Sequence, residues 1–470
     1  MFCAVAAGCR SETAEPVPTG AVPEMSVPEG ASTTSDDPPA PPAGTGTTTP
    51  PAAATTNPDV SDLSTTTAPV STTTTSLPWS LPAELAAQVA ELMDMTEGLR
   101  GRAFYRRPVF ETLTADEAAE RHPSGLGVPE REDLLHQMAL LELLGMARAG
   151  TVSVEAVMAA FEFPRPEPVY DFRRAVVVIP GGGEPLDEYQ QWVLVGELVH
   201  ALTHQHEPLL VGSVSGVGED RDRTAARIAL LEGEAVLVQS LYLDSLPPER
   251  RAEVARQAGE RSRPVLDEVP SMLVELARFP YRAGSFLATE LYRLGGMAAL
   301  DQALGNPPDT TEHVLHLDRY RRQEPAVEVK PLGVSAEGYE LVEEGTWGER
   351  RWRTLLEHHS GPVNAARAAE GWGGDHYQIL WEPLTEGLVL AARYAADSFG
   401  DESEMNAALR ELVTSGMEVG SSRVVDTVTE WIGGAGYALV AWDVGQITVV
   451  LASDPEVGRS VASQLGVAIG

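Results

Sequence analysis

Residues 196–206, with the sequence GELVHALTHQH, carry the side chains whose types and spacing best suit metal chemistry. In a zinc helix of the H-E-x-x-H type, two His one turn apart hold the ion and the Glu between them activates a water. Glu197 and His200 match the Glu and the second His, but Gly196 stands at the position of the first His. The pattern therefore predicts a zinc helix that lacks one ligand.

A shifted set of ligands is the alternative. His200 and His204 are one helical turn apart, so both can meet one ion. Glu232 lies in an apolar run where a carboxylate needs a partner, and it is the candidate third ligand, with Glu234 beside it. In this register Ala201 follows the first His, so the catalytic Glu is out of place. Glu232 could instead be a surface residue or form a salt bridge.

The helix that must position these groups is predicted from about Leu186 to His206, and Pro208 ends it. Its helical period places Trp192, Val195, Val199 and Leu202 on a core-facing stripe and Gly196, Glu197, His200 and His204 on the neighbouring side. For His204 and His206 the simpler hypothesis is a solvated helix end, where protonated His suits the helix dipole. A second helix from about Thr224 to Leu243 carries Glu232.

The remaining pattern indicates a mainly α, α+β protein. Residues 175–180 form a β-branched run that predicts a buried strand ahead of the metal helix. Helices are expected to about residue 320, and residues 330–425 are predicted to be mostly helical with irregular insertions. Residues 437–442 and 446–451 flank a turn and predict a C-terminal β-hairpin.

Composition narrows the possible partners. The net charge of −35 argues against nucleic-acid binding and against docking on anionic lipid. The only cysteines, Cys3 and Cys9, exclude a disulfide framework and a Cys-based metal site in the rest of the chain. A hydrophobic content of 43% is enough for a sizeable core.

The N-terminal residues indicate a lipid anchor. Residues 6–9 (AAGC) resemble the lipobox of bacterial lipoproteins, in which Cys9 would be lipidated. Residues 1–9 are then the remnant of a signal, and because the part before the lipobox is too short we expect the start codon to lie upstream. Residues 10–79 are rich in Ser, Thr and Pro and predict a disordered linker. We expect an extracytoplasmic protein on the outer face of the cytoplasmic membrane.

Several motifs together resemble a largely actinobacterial family of zinc-metallopeptidase-like lipoproteins. That family has an active helix of the type HELTHALQDQHF, followed by a helix with an EGDA-like motif. The resemblance spans roughly residues 85–465 and includes segments similar to the family's "LRGL", "GGW…PP.STEQVLHP" and "GWGGDRY", which are here Met95–Gly101, Gly295–Met297, Asn306–Pro308, Thr311–His316 and Gly371–Tyr377.

The resemblance implies a zincin-like helical head, with residues 80–328 as the peptidase-related domain and 329–470 as an α/β part of the same head. It implies that Glu197 is the water-activating base and that His200 and Glu232 are zinc ligands. His204 stands where the family has Asp. His316 matches a motif His and could line the cleft, as could Glu234, although a structural hydrogen bond explains His316 equally well.

These observations lead to one predicted function and one alternative. Because Gly196 offers no ligand, we expect weak zinc binding and a catalytically impaired module that binds peptide or cell-wall material. The alternative is a metal-binding or active zinc peptidase that uses His200, His204 and Glu232.

Overall fold

A computed structural model of the protein describes residues 81–114, 116–117, 131–147, 153–162, 167–214, 220–261, 269–417, 419–434 and 436–467. The predictions for Cys3, Cys9 and the linker 10–79 lie outside these residues. Helix accounts for 58% and strand for 19% of the described residues, which confirms the prediction of a mainly α, α+β fold.

Helices dominate the first part of the described chain. They are α1 (Ala83–Arg100), α2 (Arg131–Leu143), α3 (Val154–Glu162), α4 (Glu188–His206), α5 (Pro208–Val214), α6 (Arg221–Ser245), α7 (Pro248–Arg261), α8 (Ser271–Gly305), α9 (Thr311–Leu315) and α10 (Leu317–Arg322). The two helices predicted around the metal motif correspond to α4 and α6. Across the described ranges, no helix has the length and apolar character needed to cross a membrane.

Helix α6 lies against both α4 and α8. A Cβ atom on Gly233 would lie only 2.1 Å from the carbonyl oxygen of Gly284, and one on Gly284 would lie 1.9 Å from that of Ala229. The backbones of α6 and α8 therefore approach too closely for any side chain at these two glycines. This contact fixes the position of the helix that carries Glu232.

A small sheet lies before α4 in the chain. It contains β1 (Val109–Leu113), β2 (Val169–Asp171) and β3 (Val176–Pro180) in the order β1-β3-β2, with β1 parallel and β2 antiparallel to β3. Strand β3 is buried along its whole length and confirms the predicted strand. Strand β2 pairs with β3 on one edge only, and its other edge faces α4.

The C-terminal part contains a seven-stranded antiparallel sheet. Its strands are β4 (Glu340–Gly345), β5 (Trp372–Glu382), β6 (Gly387–Ala396), β7 (Val419–Val425), β8 (Val428–Gly433), β9 (Gly436–Asp443) and β10 (Gln446–Ala452). They lie in the order β4-β5-β6-β10-β9-β8-β7. The helices of this part are α11 (Gly348–Glu370), α12 (Phe399–Gly416) and α13 (Pro455–Gln464). The predicted hairpin is confirmed as β9 and β10.

The prediction that residues 330–425 are mostly helical was wrong, because this section contributes β4, β5, β6 and β7 as well as α11 and α12. Strands β5 and β6 are buried on both faces, so they lack the polar–apolar alternation by which a half-buried strand is identified. Helices α11 and α12 pack on one face of the sheet and α13 on the other. Helices α2 and α3 share the core of this sheet although they precede α4 in the chain.

Asp375, in the motif at residues 371–377, organises the junction between β5 and α11. Its carboxylate accepts hydrogen bonds from the backbone N–H groups of Trp347 and Gly348, at 2.8 and 2.9 Å. The indole N–H groups of Trp352 and Trp372 donate to it as well, at 3.1 and 2.7 Å. Burial raises the pKa of Asp375 to about 6, although the four donors favour the ionised form.

Replacing Asp375 by Ala should strongly destabilise the protein, because four buried donors would lose their acceptor. We expect Asp375→Ala to lower the free energy of unfolding by about 3–5 kcal/mol in urea titrations. The matched control is Asp318→Ala, which removes an exposed carboxylate paired with Arg322 and should change stability by less than about 0.5 kcal/mol. Equal effects of the two variants would contradict the role given to Asp375.

Candidate functional site

Helix α4 begins with a reciprocal cap. The N–H of Gln190 donates to the Asp187 carboxylate at 2.9 Å, and the N–H of Asp187 donates to the Gln190 side chain at 3.1 Å. From Trp192 to Thr203 nearly every residue is buried, including Gly196 and His200. The polar side predicted for this helix is therefore enclosed by other elements, and each polar group on it needs a partner.

Gly196 packs directly against the side chain of Gln239 on α6. A Cβ atom at Gly196 would lie 2.6 Å from Gln239 Nε2. This amide nitrogen donates to the backbone oxygen of Trp192 at 3.1 Å. The space that a first zinc-ligating His would use is thus filled by a hydrogen-bonded glutamine, and the residues present do not supply the three-ligand set of the H-E-x-x-H pattern.

His200 and Glu232 form a buried ion pair. Their Nε2 and Oε2 atoms are 3.4 Å apart, and the two residues are only 4% and 7% exposed. The other ring nitrogen, Nδ1, is buried and has no hydrogen-bond partner among the described residues. Burial alone would lower the pKa of His200, but the carboxylates of Glu232, Glu197 and Glu234 outweigh it and raise the pKa to about 9.

Glu197 is held by the free edge of β2. Its Oε2 accepts a hydrogen bond from the backbone N–H of Tyr170 at 2.7 Å. This contact connects α4 to the small sheet and places the Glu197 carboxylate close enough to His200 to contribute to its raised pKa. The two residues that match the H-E-x-x-H pattern, Glu197 and His200, are therefore near each other, but Glu197 also has a structural partner.

His204 is bound to the same strand rather than to the ion pair. Its Nδ1 lies 2.8 Å from the hydroxyl of Tyr170, and the Phe172 ring contacts both His200 and His204, with centroid distances of 5.2 and 6.3 Å. Burial and the nearby guanidinium of Arg106 lower the pKa of His204. The simple picture of a solvated, protonated helix end therefore does not describe His204.

Glu234 lies in a buried network and is completely inaccessible to solvent. Its carboxylate accepts hydrogen bonds from Arg100 Nε at 2.5 Å and from Thr203 Oγ1 at 2.7 Å. Arg100 also bonds Asp301 on α8. The structure thus places Glu234 in a contact between α1, α4, α6 and α8 instead of on an open cleft.

His316 bonds Glu349 on α11, with Nε2 at 2.9 and 2.8 Å from the two carboxylate oxygens. Burial opposes protonation of His316, but Glu349 outweighs it and raises the pKa of the imidazole. Burial also raises the pKa of Glu349. The polar contact of His316 is therefore with the C-terminal part, in agreement with the structural alternative for this residue.

Of the predicted site residues, His200, Glu232 and Glu197 come together, whereas His204, Glu234 and His316 each bond elsewhere. Within the described ranges, no group of three or more His, Cys, Asp or Glu residues is arranged to hold a metal ion. The sequence interpretation missed Tyr170 and Gln239. Gln239 could have been noticed, because it follows Glu232 by two helical turns within an apolar run.

Comparisons with known proteins give no relative. No protein-family model matches the sequence, and no curated protein or solved structure has significant similarity to it.

The His200–Glu232 pair should make stability depend on pH in metal-free protein. Protonated His200 stabilises the fold fully below its ordinary pKa of 6.5, and this contribution is lost as the pH rises towards 9. Urea titrations in EDTA should therefore show a decrease in stability from pH 6.5 to 9 that is smaller in His200→Gln. His358→Gln, which replaces an exposed histidine, should keep the wild-type dependence. An identical pH dependence in wild type and His200→Gln would contradict the assignment.

Proposed function

We propose that this chain is a lipid-anchored, extracytoplasmic binding protein whose head is related to zinc metallopeptidases but does not catalyse hydrolysis. The observation that carries the proposal is the contact between Gly196 and Gln239. It replaces a metal ligand with a packed, hydrogen-bonded amide. The loss of the ligand is thus accompanied by a neighbouring side chain that fills its place.

The remaining motif residues also have protein partners. His200 and Glu232 pair with each other, and Glu197 accepts a backbone hydrogen bond. A zinc ion would have to break the ion pair and would then have two protein ligands, one fewer than a catalytic zinc site normally has. This arrangement supports a scaffold that keeps the shape of a peptidase helix without its chemistry.

The alternative set of His200, His204 and Glu232 has one observation in its favour, the convergence of His200 and Glu232 to 3.4 Å. To join them, His204 would have to leave the Tyr170 hydroxyl. This alternative is less favoured, because it requires one hydrogen bond and one ion pair to be exchanged together.

A noncatalytic head is best suited to binding. Peptide or cell-wall material is the proposed class of partner, since both are found where a lipid anchor on Cys9 would hold the protein. Residues 10–79 would then act as a spacer between the anchor and the head.

Zinc content should distinguish the proposal from its alternative. The full-length wild-type chain is incubated with zinc and then dialysed to remove unbound ion. We expect it to retain less than about 0.1 zinc ion per chain, because two mutually paired ligands make a weak site. The variant Gly196→His/Gln239→Ala supplies the missing imidazole and removes the side chain that blocks it. It should bind about one zinc ion by elemental analysis.

A single variant and a triple variant serve as controls. Gln239→Ala removes the block without adding a ligand and should stay metal-free. Adding His200→Ala to the double variant should abolish the gained zinc. Stoichiometric zinc in the wild type that is lost in His200→Ala would refute the noncatalytic proposal. Absence of zinc from the double variant would refute the placement of the ancestral site on α4.

Lipidation should depend on one cysteine. When the gene is expressed from its own locus in its native bacterium, we expect an alkyne-labelled fatty acid to be incorporated into the protein. Cys9→Ser should abolish the label, whereas Cys3→Ser should retain it, because only Cys9 ends the lipobox-like residues 6–9. Label that persists in Cys9→Ser would contradict the anchor.

A further inference from the structure

The segment between α1 and β1, residues 101–108, crosses the C-terminal end of α4. The Gln205 side chain bonds both backbone groups of Arg106: its Oε1 accepts from the N–H at 3.1 Å and its Nε2 donates to the carbonyl at 2.9 Å. A side-chain amide that satisfies both backbone groups of one residue fixes that residue as a strand partner would. Arg106 therefore has a defined backbone position.

Three more contacts hold this segment. The Nε2 of His206 lies 2.9 Å from the Ala103 carbonyl, and the Tyr105 ring lies 4.0 Å from the His206 ring, centroid to centroid. The N–H of Phe104 donates to the Glu97 carboxylate at 2.7 Å. Contacts on α1 and α4 thus fix residues 103–106 before any ligand arrives, which reduces the entropy lost on binding.

The side chains presented by this fixed turn are exposed and cationic. Tyr105 is 73% exposed, and Arg106 and Arg107 are exposed and form no ion pair within the described residues. Arg102, in contrast, is already paired with Glu207 at 3.4 Å and with Asp301 at 3.1 Å. The turn therefore offers two exposed guanidinium groups, without an ion pair in the described part of the chain, that follow an exposed Tyr in sequence on a protein whose net charge is −35.

This surface lies next to the candidate site. Gln205, which bonds both backbone groups of Arg106, follows His204 on α4. The His204 imidazole bonds Tyr170, whose backbone N–H donates to Glu197. A ligand held by Arg106 would therefore lie at the end of α4 that carries His204.

We propose that residues 102–107, together with Gln205 and His206, form a binding surface for the carboxylate groups of a short acidic peptide segment. The proposal rests on the noncatalytic binding role and gives it a ligand class. The planar guanidinium fork matches a carboxylate, and the Tyr105 ring adds a flat apolar contact. A long polyanion fits less well, because it would extend over the acidic remainder of the protein, whereas screening within about 8–10 Å lets a short segment experience mainly the local charge.

The test is fluorescence polarisation with the full-length chain and a labelled peptide that contains four Glu residues. We expect saturable binding at 50 mM NaCl that weakens at 300 mM, and little binding of the peptide with Gln in place of Glu. Arg106→Gln/Arg107→Gln should weaken binding of the Glu peptide by at least about tenfold, because it removes two charge-assisted contacts. The thermal unfolding midpoint should stay unchanged, since both side chains are exposed.

The matched control is Arg321→Gln/Arg423→Gln, which removes the same charge from two exposed arginines on α10 and β7 that form no ion pair in the described part of the chain. It should bind the Glu peptide as the wild type does. No binding by the wild type, equal binding of the Gln peptide, or an equal loss in the control would each overturn the proposal.

A competition experiment with a long polyanion distinguishes an acidic-peptide surface from a general polyanion surface. Long-chain polyphosphate that binds more tightly than the Glu peptide and is equally sensitive to Arg106→Gln/Arg107→Gln would replace the acidic peptide with a general polyanion. These outcomes are independent of zinc content. A wild type that carries zinc would overturn the noncatalytic role without removing the acidic-peptide surface.

Discussion

The burial of three carboxylates on α6, those of Asp222, Glu232 and Glu234, is the constraint on which the described fold depends. A carboxylate removed from water destabilises the protein unless it gains hydrogen bonds or a counter-charge. A different part of the chain provides the partner of each carboxylate. Asp222 accepts hydrogen bonds from the backbone N–H and the hydroxyl of Thr311 on α9. Glu232 pairs with the imidazole of His200 on α4, and Glu234 pairs with the guanidinium of Arg100 on α1. Helix α6 thus connects segments that are far apart in sequence, and its close crossing with α8 leaves little freedom to shift.

The same constraint applies to the residues around Gly196. His200 provides the counter-charge for the buried carboxylate of Glu232. Gln239 fills the space beside Gly196 and bonds the backbone of α4. The contact between α4 and α6 therefore leaves neither an unpaired charge at Glu232 nor open space beside Gly196.

Motifs with no evident chemistry have a physical role in this structure. Asp375 collects four donors from the start of α11, from α11 itself and from β5, and Thr311 bonds Asp222. His316 bonds Glu349 on α11. The segments at residues 311–316 and 371–377 therefore join the helices around α6 to the C-terminal sheet. Sequence motifs of this kind mark buried polar contacts as well as catalytic groups.

Local sequence pattern was enough to predict α4, α6, β3 and the β9–β10 hairpin, because each has a strong local pattern with clear ends. Residue type alone also shows that Gly196 supplies no ligand. Local pattern could not reveal β5 and β6, which are buried on both faces, or the larger sheet that contains the hairpin. The partners of His200, His204, Glu234 and His316 follow from tertiary packing, because these contacts join residues distant in the chain. It likewise placed Gln239 at Gly196, since the space beside a glycine is set by the helix packed against it.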